Sequence, residues 1–138
     1  MIVYLDSSTI LRVLLRQPKP LEIWARWERA YASELLHVEA CRVIDRLRLD
    51  GVLDDEGVAN AREELFRIGN VIGWIPVSRP VLQRAALPMA TVVKTLDALH
   101  LASAMLLRER HGLTPVFATH DPQQARAARA LGFDCVGA

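Results

Sequence analysis

The stretch IVYLDSST, residues 2–9, decides how this chain is read. Ile2 to Leu5 form an apolar run too short for a helix and suited to a buried strand. The Asp, Ser, Ser and Thr that follow are helix-capping types, because their side-chain oxygens accept from the free N–H groups of a first turn. A buried strand running directly into a capped helix is the opening of a β-α unit. It leaves Asp6 at the carboxyl end of the strand.

Working outward, a helix is expected from about Ser8 to Arg16, stopped by Pro18 and Pro20. Leu21 to Ala30 carries Ile23, Trp24 and Trp27 at helical spacing, and the two indoles serve packing or a partner surface before base stacking. YAS suggests a second strand, after which Ser33 caps a long helix to about Asp50, with Leu36, Val43 and Leu47 on one stripe and Gly51 as its stop. Asp54 to Gly69 reads as an amphipathic helix with Val58, Leu65, Phe66 and Ile68 inward. VIGWIPV follows as a strand, Ser78 or Arg79 with Pro80 opens a short helix, and MATVVK is a loop. Thr95 then caps a helix from Leu96 to about Arg110, PVFAT is a strand, Asp121 to Leu131 a helix and FDCVG a last strand. Such alternation predicts a three-layer α/β/α fold with a central parallel sheet. Residues 1–138 show no repeat, linker or low-complexity segment and are expected to form one domain.

Composition narrows the function classes. The chain has 138 residues, 51% of them hydrophobic, which is enough for one ordinary core. A formal net charge of +1 excludes a polybasic nucleic-acid arm and an acidic tail. No uncharged run approaches the roughly 20 residues that span a bilayer, and no basic leader precedes Asp6, so a soluble cytoplasmic chain without membrane contact is expected. Cys41 and Cys135 lack CxxC spacing and are expected to be buried free thiols.

Four acids stand where one kind of segment changes to another: Asp6, Glu39 in SELLHVEACR, Asp97 in TLDALHLASA and Asp121 after PVFATH. Ligands of open parallel sheets lie beyond the carboxyl ends of the strands, where strand order reverses, and Asp6 and Asp121 fall there. Asp97 is in the first turn of a helix whose other faces are apolar. Each acid also has a mundane reading. Asp6 and Asp121 could cap helices, and Asp97 could answer a helix dipole. Glu39, flanked by Leu35, Leu36 and Val43, needs a partner, which Arg42 at i+3 could supply. Taken together the acids point to a metal, since two carboxylates about 4 Å apart repel by roughly 4 kcal/mol at an effective dielectric of 20. Hard divalent cations take oxygen ligands, and such a cluster suits phosphodiester chemistry. With the four set aside, Lys and Arg outnumber the remaining acids, so a cation-filled cleft would attract a polyanion.

YLDSS, SELLHVEACR, LDALHLASA and FATHD followed by AARALGF resemble, in order and spacing, the successive motifs of PIN-domain ribonucleases, especially the VapC toxins of toxin-antitoxin pairs. The likeness covers essentially the whole chain. It implies a PIN-like fold and a Mg2+- or Mn2+-dependent endoribonuclease that leaves 5′ phosphate and 3′ hydroxyl ends. It also implies a cognate antitoxin lying over the pocket, and a homodimer. Carried across by motif, Asp6, Glu39, Asp97 and Asp121 are the catalytic and metal-binding acids, with Asp6 and Asp97 the direct ligands. Ser8 and Thr119 match the small hydroxyl residues beside them. Arg42, with Arg12, Arg16 and Arg46, is a candidate for holding RNA phosphates, against a plain solvated-surface reading. His100 is expected to be a hydrogen-bonded structural group, and His37, His111 and His120 have no paired spacing for zinc. The chain departs from the family at Gln124, where an apolar residue is common, and at His120, where a smaller one is usual.

Two other classes stand beside this one. A non-catalytic binding module could keep the fold but would have no reason to retain four acids. A phosphatase of the haloacid-dehalogenase type also begins with an aspartate after its first strand, but needs a second Asp two residues on, where this chain has Ser8.

Overall fold

The computed structural model describes all of residues 1–138. Val3, Tyr4 and Leu5 of the first strand, β1 (Ile2–Leu5), are inaccessible to solvent, as a strand covered on both faces requires. The chain continues through α1 (Ser7–Leu14), β2 (Arg29–Ser33), α2 (Leu35–Leu49), α3 (Asp55–Gly69), β3 (Ile72–Ile75), α4 (Arg79–Ala85), α5 (Thr95–His111), β4 (Val116–Ala118), α6 (Pro122–Ala130) and β5 (Cys135–Val136). All strands pair in parallel, in the order β3-β2-β1-β4-β5. The chain therefore builds outward from β1 to β3, returns, and lays β4 on the other side of β1. That reversal opens a crevice between β1 and β4 at their carboxyl ends.

Strand alternation divides the core in two. Val3 and Leu5 face a layer of α1, α2 and α3 carrying Ile10, Leu14, Leu36, Ala40, Ile44, Ala61 and Leu65. Tyr4 and Phe117 face the opposite layer, with Leu101, Ala104 and Met105 of α5 and Ala127 and Ala128 of α6. Tyr4 stacks on Phe117 with ring centroids 5.2 Å apart. No helix is long and apolar enough to cross a membrane.

The expected three-layer architecture is the observed one, with local differences. Residues 21–30 do not form a helix. Arg16, Lys19 and Ala25 take left-handed backbone angles, φ 51°, 57° and 62°, which break helical repetition, and Arg29 must already stand opposite Ile2 in the sheet. The chain crosses the sheet in turns, and Trp24 and Trp27, edge to face at 5.1 Å, pack against the first core layer. In α2 the buried stripe is Leu36, Ala40 and Ile44 rather than one through Val43 and Leu47. Phe66 is 72% exposed because Ala61, Leu65 and Ile68 hold the inward stripe and residue 66 is rotated about 100° away from Leu65. Ser33 does accept from Leu35 N–H at 3.1 Å, whereas Lys94, not Thr95, occupies the N-cap of α5. Cys41 and Cys135 are free but only half-buried, since β5 is an edge strand and Cys41 lies beside the α2 stripe.

This packing predicts unequal costs for two truncations. Leu36→Ala, at a fully buried position, should lower the unfolding free energy by about 2–5 kcal/mol in urea denaturation. Phe66→Ala should change it by no more than about 0.5 kcal/mol. The reverse ranking would contradict the assigned faces.

Candidate active site

Asp6 follows β1 directly, and its backbone N–H donates to Ala118 O of β4 at 3.0 Å, which puts the residue over the crevice. It occupies the N-cap position of α1, yet its carboxylate caps nothing. Oδ2 instead accepts from the hydroxyls of Ser8 at 2.9 Å and Thr119 at 2.8 Å. Those hydroxyls accept in turn from backbone N–H groups, Ser8 Oγ from His120 at 2.9 Å and Thr119 Oγ1 from Asp121 at 3.0 Å. Two peptide dipoles beyond β4 are thus relayed onto one oxygen of a buried carboxylate. Asp6 Oδ1 receives no hydrogen bond, and the ring nitrogen Nε2 of His100 lies 3.9 Å from it.

Glu39, in the second turn of α2, points across to α5. Its Oε1 lies 2.6 Å from His100 Nε2, and its Oε2 accepts weakly from Ser7 at 3.4 Å. The pairing with Arg42 does not form. The Arg42 side chain, 69% exposed, pairs instead with Asp45 at 3.2 Å. No Lys or Arg forms an ion pair with any of the four acids; the one partner of this kind is His100.

His100 is 1% exposed, and its Nδ1 lies 2.8 Å from the Tyr4 hydroxyl. Burial pulls the imidazole toward neutrality, but the Glu39 hydrogen bond and the charges of Asp6, Glu39 and Asp97 outweigh it and raise the pKa above 6.5. Asp97, one turn N-terminal to His100, is also raised from the usual 3.8. Burial is the largest cause, followed by the charges of Asp6 and Asp121, with Glu39 adding a little. Asp97 is thus within electrostatic reach of the other three acids.

Asp121 does serve as a cap, its Oδ1 accepting from Gln123 N–H at 2.9 Å with Pro122 opening α6. Gln124, at the third helical position, would ordinarily reach back to the cap residue's N–H. Thr119 already holds that N–H, and Gln124, fully buried, donates instead to Asp97 O at 3.1 Å. The departure at Gln124 thus becomes a tie between the helices carrying Asp121 and Asp97. Its Oε1 has no hydrogen-bond partner. His120 Nδ1 meets Gly137 O at 2.9 Å, away from the acids. Tyr4 is the residue that the sequence did not single out, and for Gln124 only its partner was unforeseen. Tyr4 carries the one polar atom in an otherwise aliphatic strand, and Gln124 stands three residues after a capping Asp.

No three His, Cys, Asp or Glu side chains stand at the spacing of a direct metal cage. The donor set does fit an ion of the Mg2+ kind, which keeps several waters and takes one or two carboxylates. Asp6 Oδ1 is free of hydrogen bonds, and Asp97 bears a charge that its neighbours disfavour.

A pH signature follows for the metal-free protein. Because the pKa of Asp97 is raised on folding, the folded state is favoured below the ordinary value of 3.8 and loses that advantage as pH rises through the folded value. Asp97→Asn, which carries no charge, should therefore melt a few degrees above wild type at pH 7, and the gain should shrink as pH falls toward 3.8. A variant melting below wild type at pH 7 would contradict the electrostatic reading.

Known proteins bear on this geometry. The sequence profile of the PIN domain matches residues 3–130. Ribonuclease VapC47 of Mycobacterium tuberculosis (strain CDC 1551 / Oshkosh) is 27% identical over 138 residues, spanning 95% of this chain and 93% of that protein. Among solved structures, VapBC2 from Rickettsia felis, bound to a DNA fragment from its promoter, superposes with a TM-score of 0.61 at 14% identity, over 99% of each chain. PAE2754 from Pyrobaculum aerophilum superposes with a TM-score of 0.58 at 18% identity, over 97% of this chain and 83% of that one. With the match spanning both core layers and all four acids, the chain belongs to the PIN domain family.

Proposed function

We propose that this chain is a Mg2+- or Mn2+-dependent endoribonuclease acting in the cytoplasm as a VapC-type toxin, with residues 1–138 forming one nuclease domain. The observation that carries the reading is that Asp6 and Glu39 both reach the buried ring of His100 at the β1/β4 switch point, with Asp97 one turn away on the same helix as His100 and no Lys or Arg paired to these acids or to Asp121. The 27% identity to a ribonuclease over nearly the whole chain supports it.

Asp6 and Asp97 would hold the ion directly, Asp6 through Oδ1, since Oδ2 is engaged by Ser8 and Thr119. A divalent ion supplies there the positive charge that makes water a competent nucleophile near neutral pH and offsets charge on the phosphate oxygens. Glu39, with Oε1 held by His100 and Oε2 only weakly engaged by Ser7, would help orient the attacking water. Asp121, whose Oδ1 is committed to the cap, completes the acidic wall. Ser8 and Thr119 keep Asp6 in place, and Arg42, a candidate phosphate contact, would have to leave its exposed pair with Asp45 to serve as one. Hydrolysis adds water across the P–O3′ bond, so the products carry a 5′ phosphate and a 3′ hydroxyl.

The antitoxin would cover this crevice. A cavity of about 500 Å³ between α4 and the start of α5, lined by Leu82, Leu87, Met89, Val93 and Leu99, adjoins the turn that carries Asp97 and suits an apolar segment of such a partner. A homodimer completes the proposed assembly.

The test is hydrolysis of a panel of single-stranded RNAs with Mg2+ or Mn2+, with EDTA, and with Asp6→Asn. The expected result is cleavage leaving 5′ phosphates, abolished by EDTA and lowered by about 100-fold or more in the variant. Absence of metal-dependent cleavage across the panel would favour a binding module, and turnover of small phosphate monoesters would favour a phosphatase.

A further inference from the structure

The proposed reaction gives work to four acids and leaves unexplained a buried polar chain that ends on one of them. Tyr4 hydroxyl, His100 and Glu39 form a continuous line, 2.8 Å from the hydroxyl to Nδ1 and 2.6 Å from Nε2 to Oε1. Its members come from β1, α5 and α2, residues 4, 100 and 39, so three separate elements were brought together to make it. Apart from the Asp6 carboxylate, 3.9 Å from Nε2, and the buried Ser103, the neighbouring α5 residues are apolar. Ala98, Leu101, Ala102 and Ala104 of α5 are all buried beside His100, and the Tyr4 ring meets the imidazole edge-on at 6.1 Å. An aliphatic side chain would fill that place without the cost of burying a polar ring.

The hydrogen-bond roles follow from the chemistry of the ends. An ionised carboxylate only accepts, so His100 Nε2 must carry the proton that meets Glu39. Nδ1 is then satisfied by Tyr4, so both ring nitrogens are engaged, Nε2 by Glu39 at 2.6 Å with Asp6 Oδ1 farther off at 3.9 Å. Glu39 has an alternative, because Arg42 at i+3 is one side-chain rotation away and is held elsewhere by an exposed pair with Asp45.

We propose that His100 is a positioning residue that, with its ring anchored by the Tyr4 hydroxyl, holds Glu39 Oε1 so that Oε2 faces the β1/β4 crevice. This rests on the nuclease reading of that crevice and extends it to the group that aims the acid. Orientation by a second layer of hydrogen bonds is a general device of metal sites, and its removal commonly costs 10- to 100-fold in metal affinity or activity.

Two isosteric substitutions separate the ends of the ring. His100→Gln places an amide nitrogen near Nε2 and retains the donor to Glu39, whereas His100→Asn places one near Nδ1 and loses it. Single-turnover RNA cleavage and Mn2+ binding by calorimetry would be measured for wild type, both His100 variants, Glu39→Gln and the double variant His100→Asn/Glu39→Gln. His100→Asn should weaken one or both readouts by about 10- to 100-fold, His100→Gln should recover most of the loss, and the double variant should be no worse than Glu39→Gln alone. Tyr4→Phe, which removes only the anchoring hydroxyl, should give a smaller loss of the same kind and guards against a folding defect in the His100 variants. Equal losses in Gln and Asn variants that track melting temperature, or additive losses in the double variant, would overturn the proposal. A wild type that binds Mn2+ but cleaves no RNA refutes the nuclease reading alone, and the binding cycle then decides on His100. A wild type that does neither leaves His100 no site to serve and overturns it.

Discussion

The burial of carboxylates near one another, with no lysine or arginine paired to them, is the constraint around which the site is arranged. Asp97 feels the charges of Asp6, Asp121 and Glu39 as well as its own burial, and all of these oppose its ionisation. The fold supplies partial relief through hydrogen bonds: two hydroxyls on Asp6, an imidazole on Glu39, a backbone N–H on Asp121. It supplies no arginine or lysine. Surface acids elsewhere are treated differently, since Asp45 is paired with Arg42 and Arg48, and Glu109 with Arg84. Charge left without an arginine or lysine in one crevice, and paired with arginine on the exposed helices, is the charge that the proposed cation would offset.

The topology explains why residues so far apart in sequence arrive together. With β1 central and the chain reversing between β3 and β4, the carboxyl ends of β1 and β4 become neighbours, and the helices beginning beyond them bring their first turns to the same rim. Position alone would not orient the side chains. The hydroxyls of Ser8 and Thr119 transmit the geometry of the β4 turn to Asp6, and Gln124 ties α6 to the carbonyl of Asp97. Each acid is thereby referred to a second element of the fold, so a shift in one helix is felt across the crevice.

Much of this was legible in the sequence because short apolar runs and capping residues follow local rules. IVYL, PVFAT, the helix beginning at Asp54 and the capping reading of Asp121 hold for that reason. Residues 21–30 did not, because their helical spacing was overridden by a demand no local pattern contains: Arg29 has to stand opposite Ile2. Phe66 was misassigned through counting hydrophobic residues rather than following the 3.6-residue stripe. In the site, the acids could be found from their positions at segment boundaries, but their partners could not. Arg42 was the natural partner for Glu39 by sequence distance, while the observed partner, His100, lies 61 residues away on a helix that packs against β2 and Tyr4 only after folding. Gln124 was hidden in the same way, since its local pattern describes a capping box and its observed partner lies on another helix.

The account stands or falls on whether the crevice holds a divalent ion. Anomalous diffraction from crystals equilibrated with Mn2+ addresses this without reference to any RNA. The account predicts one or two anomalous peaks between Asp6 and Asp97, within coordination distance of Asp6 Oδ1. Well-diffracting crystals with no peak in the crevice, or with Mn2+ bound only at acids elsewhere on the surface, would contradict it.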